Sequence, residues 1–477
     1  MHQRRDGFYM LFFRQHNNMN SSMIMNLQTT RHELFASLRK KEFARLDESG
    51  HTYLDYTGGN LYPQSLVDAH CDFLSRGVYG NPHSRNPASL MSEEFVKEAR
   101  DRVLHFFRAH DYYCIFTANA TGALKIVGEC YPFSSSAHLL LTTDNHNSVN
   151  GIREYCKNKG GAYTYSPMNR KTLTINETEL SRHLQSHPDK NEKLFAFPAQ
   201  SNVSGVQHSL EWISRAQEEN WDVLLDAAAF VPTSALDLTI HGPDFVSLSF
   251  YKMFGYPTGM GCLLVKKEKF HKLKKSWYAG GTITFSAVAH GDFFLKHDHE
   301  RFEDGTINYL NIPAITNGLN FIASIGMENI HSRIKELSRY MLSELNNLYH
   351  DNGSKLIKLY GPRHVENRGG IFMMNFFDVN EQCYSPQRIE QLGSFEKISF
   401  RTGCFCNPGI DELNHDISSD KLRNYFDERD HGDYDDFVAF TGKTRGAVRI
   451  SIGIPTTKSD IDRFIGFART FLDKTIS

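Results

Sequence analysis

From about residue 110 the sequence alternates between short apolar runs and longer amphipathic ones. YYCIFTAN, AHLLLTT, KLFAFPAQ, WDVLLDAA and PDFVSLSF have strand length and are rich in apolar residues. Between them ATGALKIVGECY, SVNGIREYCKNKG and SLEWISRAQEEN repeat their apolar positions at helical spacing. Strands alternating with helices predict an α/β domain on a mostly parallel sheet. In such sheets a ligand lies beyond the carboxyl ends of the strands, so the residues that follow each strand carry the chemistry.

Beyond about residue 310 the pattern changes. NIPAITNGLNFIASIG and IHSRIKELSRYMLSELNNLYHD read as helices, GGIFMMNFFD and GAVRISIGI as strands. KSDIDRFIGFARTFLDKT reads as a last helix that starts at a serine and aspartate cap. The expected division is a large domain over 29–310 and a smaller α+β domain over 311–477. Residues 1–28 are expected to be a disordered tail, with Met19, Met23 and Met25 as alternative starts.

A net charge of -2 and a pI near 6.9 lack the basic footprint of a nucleic-acid binder. The 8 cysteines are scattered without a disulfide framework, and no run approaches the roughly 18 apolar residues of a membrane span. A cytoplasmic protein acting on small molecules is expected, with neither nucleic acid nor membrane as partner.

DFVSLSFYKMFGYPTG sets Lys252 just after an apolar strand, in a loop rich in glycine and proline. Desolvation there lowers a lysine pKa and makes the amine nucleophilic. Asp226 closes WDVLLD, an expensive place for a carboxylate unless a cation meets it. His146 follows AHLLLTTDN, Asn202 follows FAFPAQS, and Ala120, Thr121 and Gly122 open a helix where an anion is favoured. Pyridoxal 5'-phosphate needs this set: a lysine for a Schiff base, a carboxylate for the pyridinium nitrogen, donors for the phosphate and a flat group on the ring. Lys252, Asp226, Thr121 with Ser249, and His146 supply them. Neither a G-x-x-x-x-G-K-[ST] phosphate loop nor a dinucleotide fingerprint competes, and finger-like metal spacing is missing.

RTGCFCNPG places Cys404 and Cys406 in a loop composition that suggests exposure, with Arg401 nearby to favour a thiolate. A chance pair of thiols, a redox pair and a soft-metal site remain open readings of this spacing. Joined to pyridoxal chemistry, a nucleophilic thiol points to sulfur transfer.

YLDYTGGNLYPQSL, GNPHS, ATGALKIV, DNHNSV, SNVSG, LLDAAAFV, DFVSLSFYKMFGYPTGMGCLLV, AGGT, FEDGT, RTGCFCNPG and GAVRISIG run in one order from about residue 50 to 455. In these segments the chain resembles the class V aminotransferases, in particular the cysteine desulfurases, and most of all the amino-terminal desulfurase domain of molybdenum cofactor sulfurases. The resemblance implies a fold type I enzyme whose large domain holds a mostly parallel seven-stranded sheet between helices. By similarity Lys252 forms the Schiff base and shuttles the substrate α-proton, Asp226 pairs with the ring nitrogen, His146 stacks on the ring and Asn202 contacts its hydroxyl. Thr121, Gly122, Ser249 and Tyr251 hold the phosphate, and Thr282 reaches the phosphate of a partner subunit in a homodimer. Arg449 binds the substrate carboxylate. Cys406 stands at the persulfide position of R-x-G-x-x-C. The implied reaction turns L-cysteine, or a related amino acid such as selenocysteine, into L-alanine. The sulfur then passes to an unidentified acceptor, either a protein or the molybdenum cofactor.

The chain departs from many desulfurases at Ala229, where glutamine is common, and at Gly122, where glutamate is common; the sulfurase branch also has a small residue at the second position. Full-length sulfurases continue into a β-barrel domain, and the expectation is that only the desulfurase half is represented. Two further readings stand beside desulfuration: an aminotransferase, epimerase or carbon–sulfur lyase of the same fold that does not need Cys406, and a non-catalytic protein that kept the fold.

Overall fold

The computed structural model describes residues 21–187, 189–442 and 445–476. Seven strands form the large sheet: β1 (Tyr112–Thr117), β2 (Ala137–Thr142), β3 (Ala162–Ser166), β4 (Glu192–Pro198), β5 (Asp222–Asp226), β6 (Phe245–Ser249) and β7 (Gly261–Lys266). Their spatial order is 1-7-6-5-4-2-3. β7 runs antiparallel to both neighbours and the other pairings are parallel, so the sheet is mostly parallel as expected.

Alternation along the strands creates two cores. Leu139 and Leu141 of β2 join Leu194, Ala196 and Leu224 on one face, beneath Ala123 and Val127 of the helix Ala120–Cys130. Leu140 joins Phe195, Phe197 and Leu225 on the other face. Burial on both faces explains why these strands read as nearly unbroken apolar runs. The sheet order changes direction between β2 and β4, because β3 lies outside β2 while β4 lies on its opposite side. That crevice is the place where a ligand of an open α/β sheet is expected.

A second, antiparallel sheet has four strands in the order β8 (Ile357–Tyr360), β9 (Ile371–Phe376), β11 (Ala447–Ser451) and β10 (Arg401–Gly403). The amino-terminal segment reaches this region: Thr52–Tyr53 pairs in parallel with Ile398–Ser399, and Asp55 bridges Ser451. Helices Pro313–Ile325 and Met327–Asn346 follow the large sheet, and Lys458–Arg469 closes the described chain.

Three details differ from the sequence reading. The final helix is capped by Thr457, with Asp460 returning the bond in a capping box, so the serine of KSD lies inside the first turn. SVNGIREYCKNKG forms two helices, Asn147–Asn150 and Ile152–Asn158, separated at Gly151. Of the stretch 1–28 read as a tail, 1–20 lie outside the described residues and the remainder belongs to the helix Ser21–Glu42. Among the described residues no helix is long and apolar enough to cross a membrane.

Candidate active site

Lys252 owes its direction to the short helix Phe250–Phe254. Phe250, Met253 and Phe254 are buried in the core, which turns the intervening Tyr251 and Lys252 toward the crevice. Gly255 ends this helix at φ 81, where a Cβ would lie 2.4 Å from the Tyr62 nitrogen, so glycine is required by both conformation and space. Burial pushes the Lys252 amine below its ordinary value of 10.5; Asp226 opposes the shift and Arg449 adds to it. The amine is therefore closer to its nucleophilic form than an exposed lysine.

Lys252 opens into a pocket beyond the strand ends. Thr121, His146, Asn202, Asp226, Ser249 and Tyr251 line it with Lys252, bringing together seven of the residues singled out from sequence. Asp226 accepts hydrogen bonds from Ser247 Oγ at 3.0 Å and Ala228 N at 3.1 Å, both at Oδ1, which leaves Oδ2 for a cation in the pocket. His146 Nδ1 accepts from Ser148 N at 3.1 Å, so the neutral ring carries its hydrogen on Nε2. Burial lowers the His146 pKa, against the pull of Asp226, and keeps a neutral, flat ring at the wall. The hydroxyls of Thr121 and Ser148 meet at 2.8 Å beside the helix N-terminus, and Ser249 Oγ accepts from Ala120 N at 2.8 Å. A carboxylate, a desolvated amine, a flat ring and hydroxyls at a helix start fit the donor set of pyridoxal phosphate.

Gly122, expected at the phosphate, and Thr282, expected at the phosphate of a partner subunit, both lie outside the lining of this pocket. The Gly122 N–H donates to Asn119 Oδ1 at 3.0 Å, making it part of the helix cap. Thr282 is fully buried in its own AGGT turn, its hydroxyl paired with the Ala279 backbone at 2.9 Å.

The cysteine loop descends on the crevice from the small sheet. Asn407 is fully buried; its amide donates to Asp144 O at 2.7 Å and Asn202 Oδ1 at 3.0 Å, and its oxygen caps the helix Pro408–His415. Asn202 Nδ2 donates to Phe405 O at 2.8 Å, and Asn147 N donates to Cys406 O at 2.7 Å. A Cβ on Gly409 would lie 1.9 Å from Thr143 O, so only glycine lets the loop approach so closely. Phe405 and Cys406 sit at φ 57 and 55, a left-handed conformation that costs roughly 1–2 kcal/mol per residue and persists because these bonds fix it. Cys406 is exposed and Cys404 half-buried.

Arg449 lies behind this loop, outside the pocket lining. It is buried, with Nη1 donating to Asn202 O at 3.0 Å and Nη2 to Asp55 Oδ1 at 2.8 Å, while the Phe405 ring stacks 4.7 Å from the guanidinium.

The aminotransferase class-V family description matches residues 52–464. The chain belongs to this family. It is 36% identical over 467 residues to a molybdenum cofactor sulfurase of Solanum lycopersicum, covering 91% of this chain and 56% of that protein. The Homo sapiens molybdenum cofactor sulfurase is 36% identical over 455 residues, covering 90% and 50% respectively. The chain thus spans about half the length of the curated relatives it matches. Among solved structures, a cysteine desulfurase from Thermococcus onnurineus NA1 superposes with a TM-score of 0.76 at 21% identity, over 92% of this chain and 98% of that one. The shared fold is the fold type I arrangement that the sequence segments imply.

Sequence reasoning missed Asp55, Ser148, Gln200 and Asn407. Ser148 had a signal, a second hydroxyl just after His146. Gln200 lines the pocket and donates to O of Ala229, the position where many desulfurases carry glutamine, at 2.8 Å. Asn407→Ala leaves the Asp144 carbonyl and the Asn202 amide without this partner, a loss of about 1–3 kcal/mol. Hydrogen exchange is expected to show protection falling in 403–410 while the strands of the large sheet keep theirs.

Proposed function

We propose that this protein is a pyridoxal-phosphate-dependent cysteine desulfurase related to molybdenum cofactor sulfurases. It converts L-cysteine to L-alanine and passes the sulfur from Cys406 to an acceptor, either a protein or the molybdenum cofactor. The observation that carries the reading is the direct bonding of the Cys406 loop to the strand-end loops that bear His146 and Asn202, beside the Lys252 pocket.

When bound, pyridoxal phosphate supplies an electron sink for bond-breaking at the amino acid's α and β carbons. Lys252 would hold its aldehyde and, as an amine of lowered pKa, would carry the α-proton. Asp226 would pair with the ring nitrogen, the neutral His146 ring would stack on the ring, and Asn202 would contact its hydroxyl. Thr121, Ser148, Ser249 and Tyr251 would hold the phosphate. Arg449, whose Nε has no hydrogen-bond partner among the described residues, would take the substrate carboxylate. The Cys406 thiolate attacks the substrate sulfur; the new S–S bond forms as the Cβ–S bond breaks, and protonation at carbon leaves alanine.

A homodimer and a cytoplasmic location complete the proposal. Phe285 and Phe294 are 63% and 67% exposed on the hairpin formed by Ile283–Ser286 and Phe293–Leu295, which begins one residue after Thr282. An apolar patch of this kind supports burial against a second copy. The eight cysteines are free, which suits a reducing compartment. Light scattering is expected to give twice the chain mass; a monomer at micromolar concentration contradicts the dimer.

Two measurements test the chemistry. The loaded protein should release alanine from L-cysteine in the presence of a reductant, and Cys406→Ala should lower that rate about 100-fold or more; equal rates would remove Cys406 from the reaction. The neutral amine is the form that captures the cofactor, so a lowered Lys252 pKa enlarges the reactive fraction at neutral pH. The pH profile of cofactor capture by apoprotein should therefore have its midpoint below 10.5, and a midpoint at or above that value contradicts the desolvated site.

A further inference from the structure

Asp55 holds two guanidinium groups at once. Its Oδ1 accepts from Arg449 Nη2 at 2.8 Å, and its Oδ2 accepts from Arg401 Nε at 3.0 Å and Nη2 at 2.8 Å. The local backbone is shaped around this cluster. A Cβ on Gly58 would lie 2.4 Å from Asp55 Oδ2 and 2.7 Å from Arg401 Nη2, and the Asp55 bridge to Ser451 fixes its register beside Arg449. The two arginines differ in setting: the Arg401 side chain is 53% exposed and that of Arg449 is 4% exposed. Arg449 Nε is buried and has no hydrogen-bond partner among the described residues, which leaves a donor for one more acceptor. Arg449 Nη1 donates to the backbone oxygen of Asn202, a pocket-lining residue, so the cluster adjoins the pocket.

Two guanidinium groups share the one Asp55 carboxylate, so this cluster carries a single net positive charge, which suits one α-carboxylate. A second acidic group on the substrate would find Arg401 already paired and would face the Asp55 carboxylate, a like-charge contact that selects against it.

We propose that Asp55 is a specificity-determining residue that neutralises Arg401, so that the site accepts amino acids with one carboxylate and an uncharged side chain and rejects those with a second acidic group. This rests on the proposed role of Arg449 in holding the substrate carboxylate.

The test titrates the holoprotein and its Asp55→Asn and Asp55→Glu variants with L-alanine and L-aspartate, following the cofactor absorbance. The wild type should bind L-alanine more tightly. Asp55→Asn should shift the ratio of the two Kd values about tenfold or more toward L-aspartate, because it unmasks Arg401, and Asp55→Glu should keep the wild-type preference. A ratio within one protein is independent of how much of a variant is folded. An unchanged ratio in Asp55→Asn overturns the proposal, as does a wild type that responds to neither amino acid or prefers L-aspartate. Failure of the desulfurase reading is a separate result: no alanine from L-cysteine in a protein whose binding ratio still shifts.

Discussion

One carboxamide, that of Asn407, ties the small sheet to the crevice of the large one. Both of its N–H groups are used, one on the loop after β2 through Asp144 O and the other on the loop after β4 through Asn202 Oδ1. Those loops flank the point where the sheet order changes direction. The bond therefore converts a property of sheet topology, an open crevice beyond the strand ends, into a defined position for a thiol one residue away. The left-handed backbone at Phe405 and Cys406 is the local cost of this docking, offset by bonds from Asn202 and Asn147 to the two carbonyls.

Charge is organised around the same crevice. Lys252, Arg401 and Arg449 would repel one another in a dry site, and each acidic group present answers a particular cation. Asp226 restrains the fall of the Lys252 pKa, and Asp55 joins the two arginines across segments 346 and 394 residues apart in sequence. A lysine with a lowered pKa and a neutral histidine coexist with the buried Arg449 guanidinium, whose charge Asp55 answers directly.

Strand-end logic made the centre of the site legible in the sequence. Lys252, Asp226, His146 and Asn202 each follow a buried apolar strand, and a parallel sheet brings such positions together without knowledge of tertiary contacts. Asp55 and Asn407 escaped because their partners are set by the meeting of distant segments, which no local pattern encodes. Thr282 and Gly122 were read by resemblance to the right loops, but the side-chain direction of the first and the N–H partner of the second are fixed by turns closing on themselves. Among the strands, β3 gave little signal, since AYTYS is an edge strand with its first residues exposed. β7 is apolar, but the glycine-rich turn before it masked its start.

In the proposed reaction the docked loop presents Cys406, rather than Cys404, to the sulfur of an amino acid held at Lys252. Mass spectrometry of the peptide 401–409, after brief exposure of the loaded protein to L-cysteine and alkylation without reductant, tests this directly. The account predicts one additional sulfur on Cys406, removed by a thiol reductant. Additional sulfur on Cys404 alone, or alanine formation with no sulfur on this peptide, would contradict it.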